Sequence, residues 1–203
     1  MKPIALLLAC LMLGAPAFAE ETPEYFEIPY TFFVRTEDYS ILYRADMLAF
    51  TPERSEPGLD VFIVDAEAYG MSPFEAEILV YRANEADYAV EEAELDARAD
   101  LEAEGYSDIE SLGDTVRAMF PDAYARGIIG QRIAEPRTLD GDDIGEAAAL
   151  QTFVDVVECY CLETELGMYF LVTRYPNEYS NGMGVALRHV LETFRQPPKR
   201  PDA

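Results

Sequence analysis

The sequence predicts an α+β fold: an antiparallel sheet with helices packed mainly on one face, closing with a late β-hairpin and a C-terminal amphipathic helix. Three observations lead there. Short runs rich in β-branched and aromatic residues occupy the first third and the last third of the chain. An Ala/Glu-rich stretch with helical spacing separates them. Two adjacent β-rich runs, QTFVDVVECYCLE (151–163) and MYFLVTRY (168–175), are joined by the short connection TELG, the signature of a hairpin. Strands grouped apart from helices favour α+β over an alternating α/β order.

The first nineteen residues, MKPIALLLACLMLGAPAFA, precede that domain. Lys2 gives a short positive start, Ile4 to Leu13 form an apolar run, and Ala17-Phe18-Ala19 offers small residues where a signal peptidase cuts. The run is shorter than the roughly 20 residues that a membrane-spanning helix needs. The expectation is a cleaved signal peptide over residues 1–19 and a soluble periplasmic or secreted product without a transmembrane segment. Leu7-Leu8-Ala9-Cys10 loosely matches a lipoprotein signal, but the apolar run continues past Cys10 and a better cleavage site follows. Residues 20–195 are then one globular domain, and QPPKRPDA (196–203) is a tail with no apolar anchor.

The elements follow in order. EYFEIPYTFFVRTED centres an aromatic-rich strand on residues 26–35. DYSILYRADMLAF is ambiguous, because Ile41, Leu42, Ala45, Leu48 and Ala49 fit one helical face while the composition also suits strands. TPERSEPG reads as a turn. LDVFIVDAEAYG and FEAEILVYRA read as strands, the second alternating Phe74, Ala76, Ile78 and Val80 with Glu75, Glu77, Leu79 and Tyr81. Over 84–104, Val90, Ala93, Ala97 and Leu101 form the stripe of an acidic helix stopped by Gly105. Ser107 and Glu110 have the spacing of a capping box for a short helix reaching Met119. GIIGQRIAEP is another strand. Asn181 is positioned to cap a last helix to Arg195, with Met183, Leu187, Val190, Leu191 and Phe194 inward and Arg188, Glu192 and Arg195 outward. The element order of the last fifty or so residues, a strand and hairpin followed by a packing helix, is similar to that of small exported domains of the PsbP-like class. The resemblance implies such a fold and assigns no functional residue.

Charge excludes some partners. The chain holds 15 Lys+Arg against 39 Asp+Glu, a net charge of −24. Such a surface repels nucleic-acid phosphates and anionic lipid, and attracts cations or a basic protein. Residues 85–104 alone carry nine acids and one base, Arg98. That run serves as a solvated helix face or as a docking surface for a basic partner.

Few residues carry recognisable chemistry. Once Cys10 leaves with the signal, Cys159 and Cys161 are the only cysteines, in a compartment that permits disulfides. On a regular strand their Cβ atoms are about 6.5–7 Å apart, too far for a disulfide, which wants about 3.5–4.5 Å. Four readings follow: small buried core residues, a strained local disulfide, a soft-metal pair assisted by Met168, or an intermolecular bond. In LDGDDIGEAAALQ (139–151), Asp140 and Asp142 match two acidic positions of a calcium loop, but Ile144 and Gln151 miss the others. His189 is the only histidine, and any histidine-dependent general base must be this one. No nucleophile elbow, P-loop or dinucleotide fingerprint is present. No cofactor is implied, and a carboxylate-based glycosidase stays open as a third class. The expectation is an exported non-catalytic binding or accessory domain for a small molecule or an envelope protein. The alternative is a metal-binding or thiol-redox protein centred on Cys159 and Cys161.

Overall fold

Alternating inward apolar residues build a seven-stranded antiparallel sheet. The computed structural model describes residues 30–35, 38–65, 75–83, 88–121, 123–134 and 153–196. Strands β1 (Tyr30–Arg35) and β2 (Tyr39–Arg44) form a separate two-stranded ribbon. The main sheet contains β3 (Leu48–Phe50), β4 (Leu59–Val64), β5 (Glu77–Arg82), β6 (Ser107–Ser111), β7 (Tyr124–Ala134), β8 (Phe153–Thr164) and β9 (Gly167–Pro176). Its spatial order is β3-β4-β5-β9-β8-β7-β6. The expected late hairpin is β8–β9, paired from Asp155↔Pro176 to Thr164↔Gly167. The ambiguous segment after Asp38 resolves into strands β2 and β3, because Tyr39, Ile41 and Tyr43 alternate inward.

Among the described residues, three α-helices cover the sheet. Helix α1 (Val90–Ala103) lies alone on one face, burying the expected Val90, Ala93, Ala97 and Leu101 beside Val157, Cys159, Cys161 and Met168. Gly105, at φ +88°, follows its last turn in a left-handed conformation that suits glycine. Helices α2 (Asp114–Met119) and α3 (Val185–Leu191) share the other face with the β1–β2 ribbon. There Tyr160, Leu162, Tyr169, Leu171 and Tyr175 meet Met183, Leu187, Val190, Leu191 and Phe194. Residues Val156 to Leu162 of β8 are buried on both faces, as expected of a central strand between two layers. Among the described residues, no helix is long and apolar enough to cross a membrane.

Two local expectations are corrected. Ser107 and Glu110 do not cap a helix: they belong to β6, paired with Gln131 and Ile129 of β7, with Asp108 at φ +51° where the register shifts. Sheet pairing replaces the cap, and α2 begins only after Gly113. Asn181 does not cap the last helix either. It lies exposed within a π-turn, Ser180–Gly184, and α3 starts at Val185 without a side-chain cap.

Gly184 explains why the chain needs that turn. A Cβ here would lie 2.7 Å from Cζ of Tyr175, so the turn can sit on the tyrosine ring only without a side chain. Gly184→Ala is expected to lower stability by about 1–3 kcal/mol through overpacking, measured by denaturant unfolding. Stability equal to wild type would show that Tyr175 moves aside freely.

Candidate functional site

The two faces of β8 carry different chemistry, because residues two apart point the same way. Cys159 and Cys161 face α1, whereas Glu158 and Tyr160 face α3.

Cys159 and Cys161 are free and buried. They lie in unbroken register, Cys159 opposite Ile128 and Val172, and Cys161 opposite Arg126 and Phe170. The hydrogen bond to Cys159, and then burial, push the Cys161 thiol well above its ordinary pKa. Met168 lies in the same buried cluster. Asp155, which fits poorly in an apolar face by sequence, is held by Arg132 at 3.0 Å, and that guanidinium stands 4.6 Å from the centre of the Tyr106 ring. Glu158, one residue from Cys159, points to the opposite face of β8. Among the described residues, no group of three or more His, Cys, Asp and Glu side chains could hold a metal. Asp140 and Asp142 lie outside the described residues. His189 stands on the exposed side of α3, with Nδ1 2.8 Å from Glu192.

The sequence reading missed Glu158. Its side chain is 0% exposed, yet it is fully partnered. Tyr160 donates to it at 2.6 Å and Tyr175 at 2.5 Å. Arg188 Nε donates at 2.9 and 3.0 Å, and its Nη2 makes a further contact. Arg188, expected to point outward from α3, therefore turns inward and keeps 30% of its side chain exposed. Burial, followed by the Glu158 charge, pushes both tyrosine pKa values above the ordinary range. The hydrogen bonds that Arg188 donates to Glu158 raise its own pKa. Both carboxylate oxygens of Glu158 are thereby committed to protein donors.

Two clefts open beside β5. The first, of about 610 Å³, lies between the β1–β2 ribbon and the sheet and is lined by Arg35, Tyr39, Asp60, Arg82 and Tyr169, among others. Its arginines are already engaged. Arg35 holds the buried Asp60, which also accepts from Tyr39 at 2.7 Å, and Arg82 holds Asp38 and the Leu166 carbonyl. The second, of about 480 Å³, lies between α1 and strands β5 and β9 in the interior of the sheet. It is lined by Tyr81, Tyr88, Phe170, Asp96 and Asp100 together with Ala83, Ala97 and Ala99. Tyr81 and Phe170 are directly opposite across β5 and β9, their ring centres 5.8 Å apart; Tyr88 stands 6.2 Å from Phe170. Asp96 accepts from Tyr88, and Asp100 has no ion-pair partner among the described residues. Three other acids on or beside α1 are paired: Arg126 takes Glu91 at 2.9 Å and Glu94 at 3.0 Å, and Arg174 takes Glu104 at 2.8 Å.

No family model matches the chain, and no curated protein matches it. Among solved structures, it is similar to the solution structure of cyanobacterial PsbP (CyanoP) from Synechocystis sp. PCC 6803. The identity is 10% and the TM-score 0.46, over 92% of this chain and 99% of that one. At that identity the likeness assigns no residue role.

Two outcomes are expected from the Glu158 cluster. Arg188→Ala should cost about 3–5 kcal/mol, because it strands a buried charge, whereas Glu158→Gln with Arg188→Met should recover most of that loss. Additive costs in this double-mutant cycle would refute the coupling. Stability should also fall at alkaline pH. Tyr39, Tyr160 and Tyr175 keep their protons in the fold beyond the unfolded value. Their contribution is complete below about pH 10 and is lost as pH rises further, since the unfolded chain then releases protons that the native one retains. Thermal melts across that range check the sign.

Proposed function

We propose that the chain is an exported, non-catalytic binding or accessory domain of a bacterial envelope, taking its ligand at the cleft between α1 and β5–β9. The observation that carries this reading is the contrast between that cleft and the other polar clusters. Glu158, Asp60 and Asp155 are sealed by arginines and tyrosines. The α1 cleft instead presents three aromatic rings and, in Asp100, a carboxylate with no ion-pair partner among the described residues. Small-molecule and side-chain binding sites have this character: apolar walls, a few convergent polar groups and a volume of a few hundred Å³. The apolar run from Ile4 to Leu13 and the small residues at Ala17 and Ala19 support export into the periplasm.

A second reading centres on the thiols, favoured by the shared burial of Cys159, Cys161 and Met168. Three sulfur atoms suit a soft metal ion such as Cu(I). Burial and the raised Cys161 pKa oppose thiolate formation and keep this reading second.

Complementation separates the two. In a strain lacking the gene, His189→Ala and Cys159→Ser should restore function as wild type does, whereas Tyr81→Ala, at normal protein level, should fail. The opposite pattern would move the function to the histidine or the thiols. Intact mass and thiol titration of protein purified from the periplasm without reductant should give an N-terminus at Glu20 and two slowly reacting thiols. A mass lower by two protons, or higher by a metal, would favour the second reading.

A further inference from the structure

Resting on the binding-domain reading, we propose that the cleft between α1 and strands β5 and β9 binds an organic cation, an alkylammonium or guanidinium group, against the rings of Tyr81, Phe170 and Tyr88 with Asp96 and Asp100 as counter-charges. Tyr81 and Phe170 are fixed by cross-strand pairing, with their ring planes inclined at 38°. Tyr88 approaches Phe170 at 47° and is held by its hydroxyl donating to Asp96. The rings therefore line the cleft as mutually inclined faces rather than as a stack. A cation within about 6 Å of a ring centre is attracted by the negative face of the π system, more strongly when partly desolvated.

Competing ligand classes fit less well. An anion would meet Asp96 and Asp100 with no lining base, on a chain of net charge −24. A hard metal ion wants six or more oxygen ligands, and this cleft offers two carboxylates and otherwise aromatic and alanine surface. A neutral apolar molecule would cover the carboxylates without a counter-charge. An organic cation answers both halves of the lining. Its volume of about 480 Å³ accepts a quaternary ammonium compound or the end of a Lys or Arg side chain.

The test is an NMR titration of the isotope-labelled, exported protein with tetramethylammonium chloride, against sodium chloride at matched ionic strength. A parallel arm uses a short neutral-capped peptide bearing one arginine. Saturable shifts confined to Asp96–Asp100, Tyr81 and Phe170 are expected. Tyr81→Ala, at a position 44% exposed and so tolerant of truncation, should weaken binding about fivefold. Asp100→Asn should weaken it by a similar factor and flatten its salt dependence. Tighter binding of the peptide identifies a protein side chain as the source of the cation, and tighter binding of tetramethylammonium identifies a small quaternary amine. Identical shifts with sodium chloride, or unchanged affinity in Tyr81→Ala, overturn the proposal. If the cation fails while Tyr81→Ala still fails to complement, only the ligand class is wrong. If both arms fail, the cleft is not the binding site.

Discussion

The fold is organised around one buried carboxylate. Glu158 sits in the middle of the central strand, and removing a charge from water costs several kcal/mol unless attraction and hydrogen bonds compensate. Four donors do so, from three places in the sequence. Tyr160 comes from the same strand, Tyr175 from its hairpin partner, and Nε and Nη2 of Arg188 from α3. The requirement sets the position of α3 against the sheet. The same tyrosine forbids a side chain at Gly184, so the turn entering α3 is fitted to it. A buried ion pair adds little to stability relative to well-packed apolar residues, but breaking it is costly. Its consequence here is to specify one docking of the last helix.

With that face closed, the other divides. Over β6, β7 and β8, α1 covers the sheet and buries Cys159 and Cys161 beneath Ala93 and Ala97. Toward β5 and β9 the sheet extends beyond the helix, leaving Tyr81 44% exposed. The acidic side of α1 is split along the same line. Glu91 and Glu94 meet Arg126, and Glu104 meets Arg174, whereas Asp96 and Asp100 line the cleft. Part of the acidity of α1 is thus neutralised by Arg126 of β7 and Arg174 of β9, while Asp96 and Asp100 face the cleft.

Patterns of period two and 3.6 were legible in the chain wherever one face is buried and the other is wet. The stripes of α1 and α3 and the alternation of Ile78 and Val80 in β5 fall into this class, since burial of apolar surface depends on local spacing. The β8–β9 hairpin, with β8 buried on both faces, was legible from two β-rich runs around a short connection. The capping-box spacing at Ser107 and Glu110 misled because a local hydrogen-bond pattern competes with sheet pairing, and β7 supplied the pairing from 20 or so residues away. The cysteine pair was readable as buried thiols on one face.

The sequence by itself determined most of the strands and helices, the acidity and the placing of Cys159 and Cys161 on one face of β8. Tertiary structure alone decided the roles of the charged residues. Arg188 looks like an outward residue on a helical wheel, and only the arrival of Glu158 beneath α3 makes turning inward favourable. Tyr81, Tyr88 and Phe170 are scattered along the chain; the pairing of β5 with β9 and the docking of α1 bring them to one cleft. Apolar burial is a property of neighbours in sequence, but charge pairing and cleft formation depend on which distant elements meet.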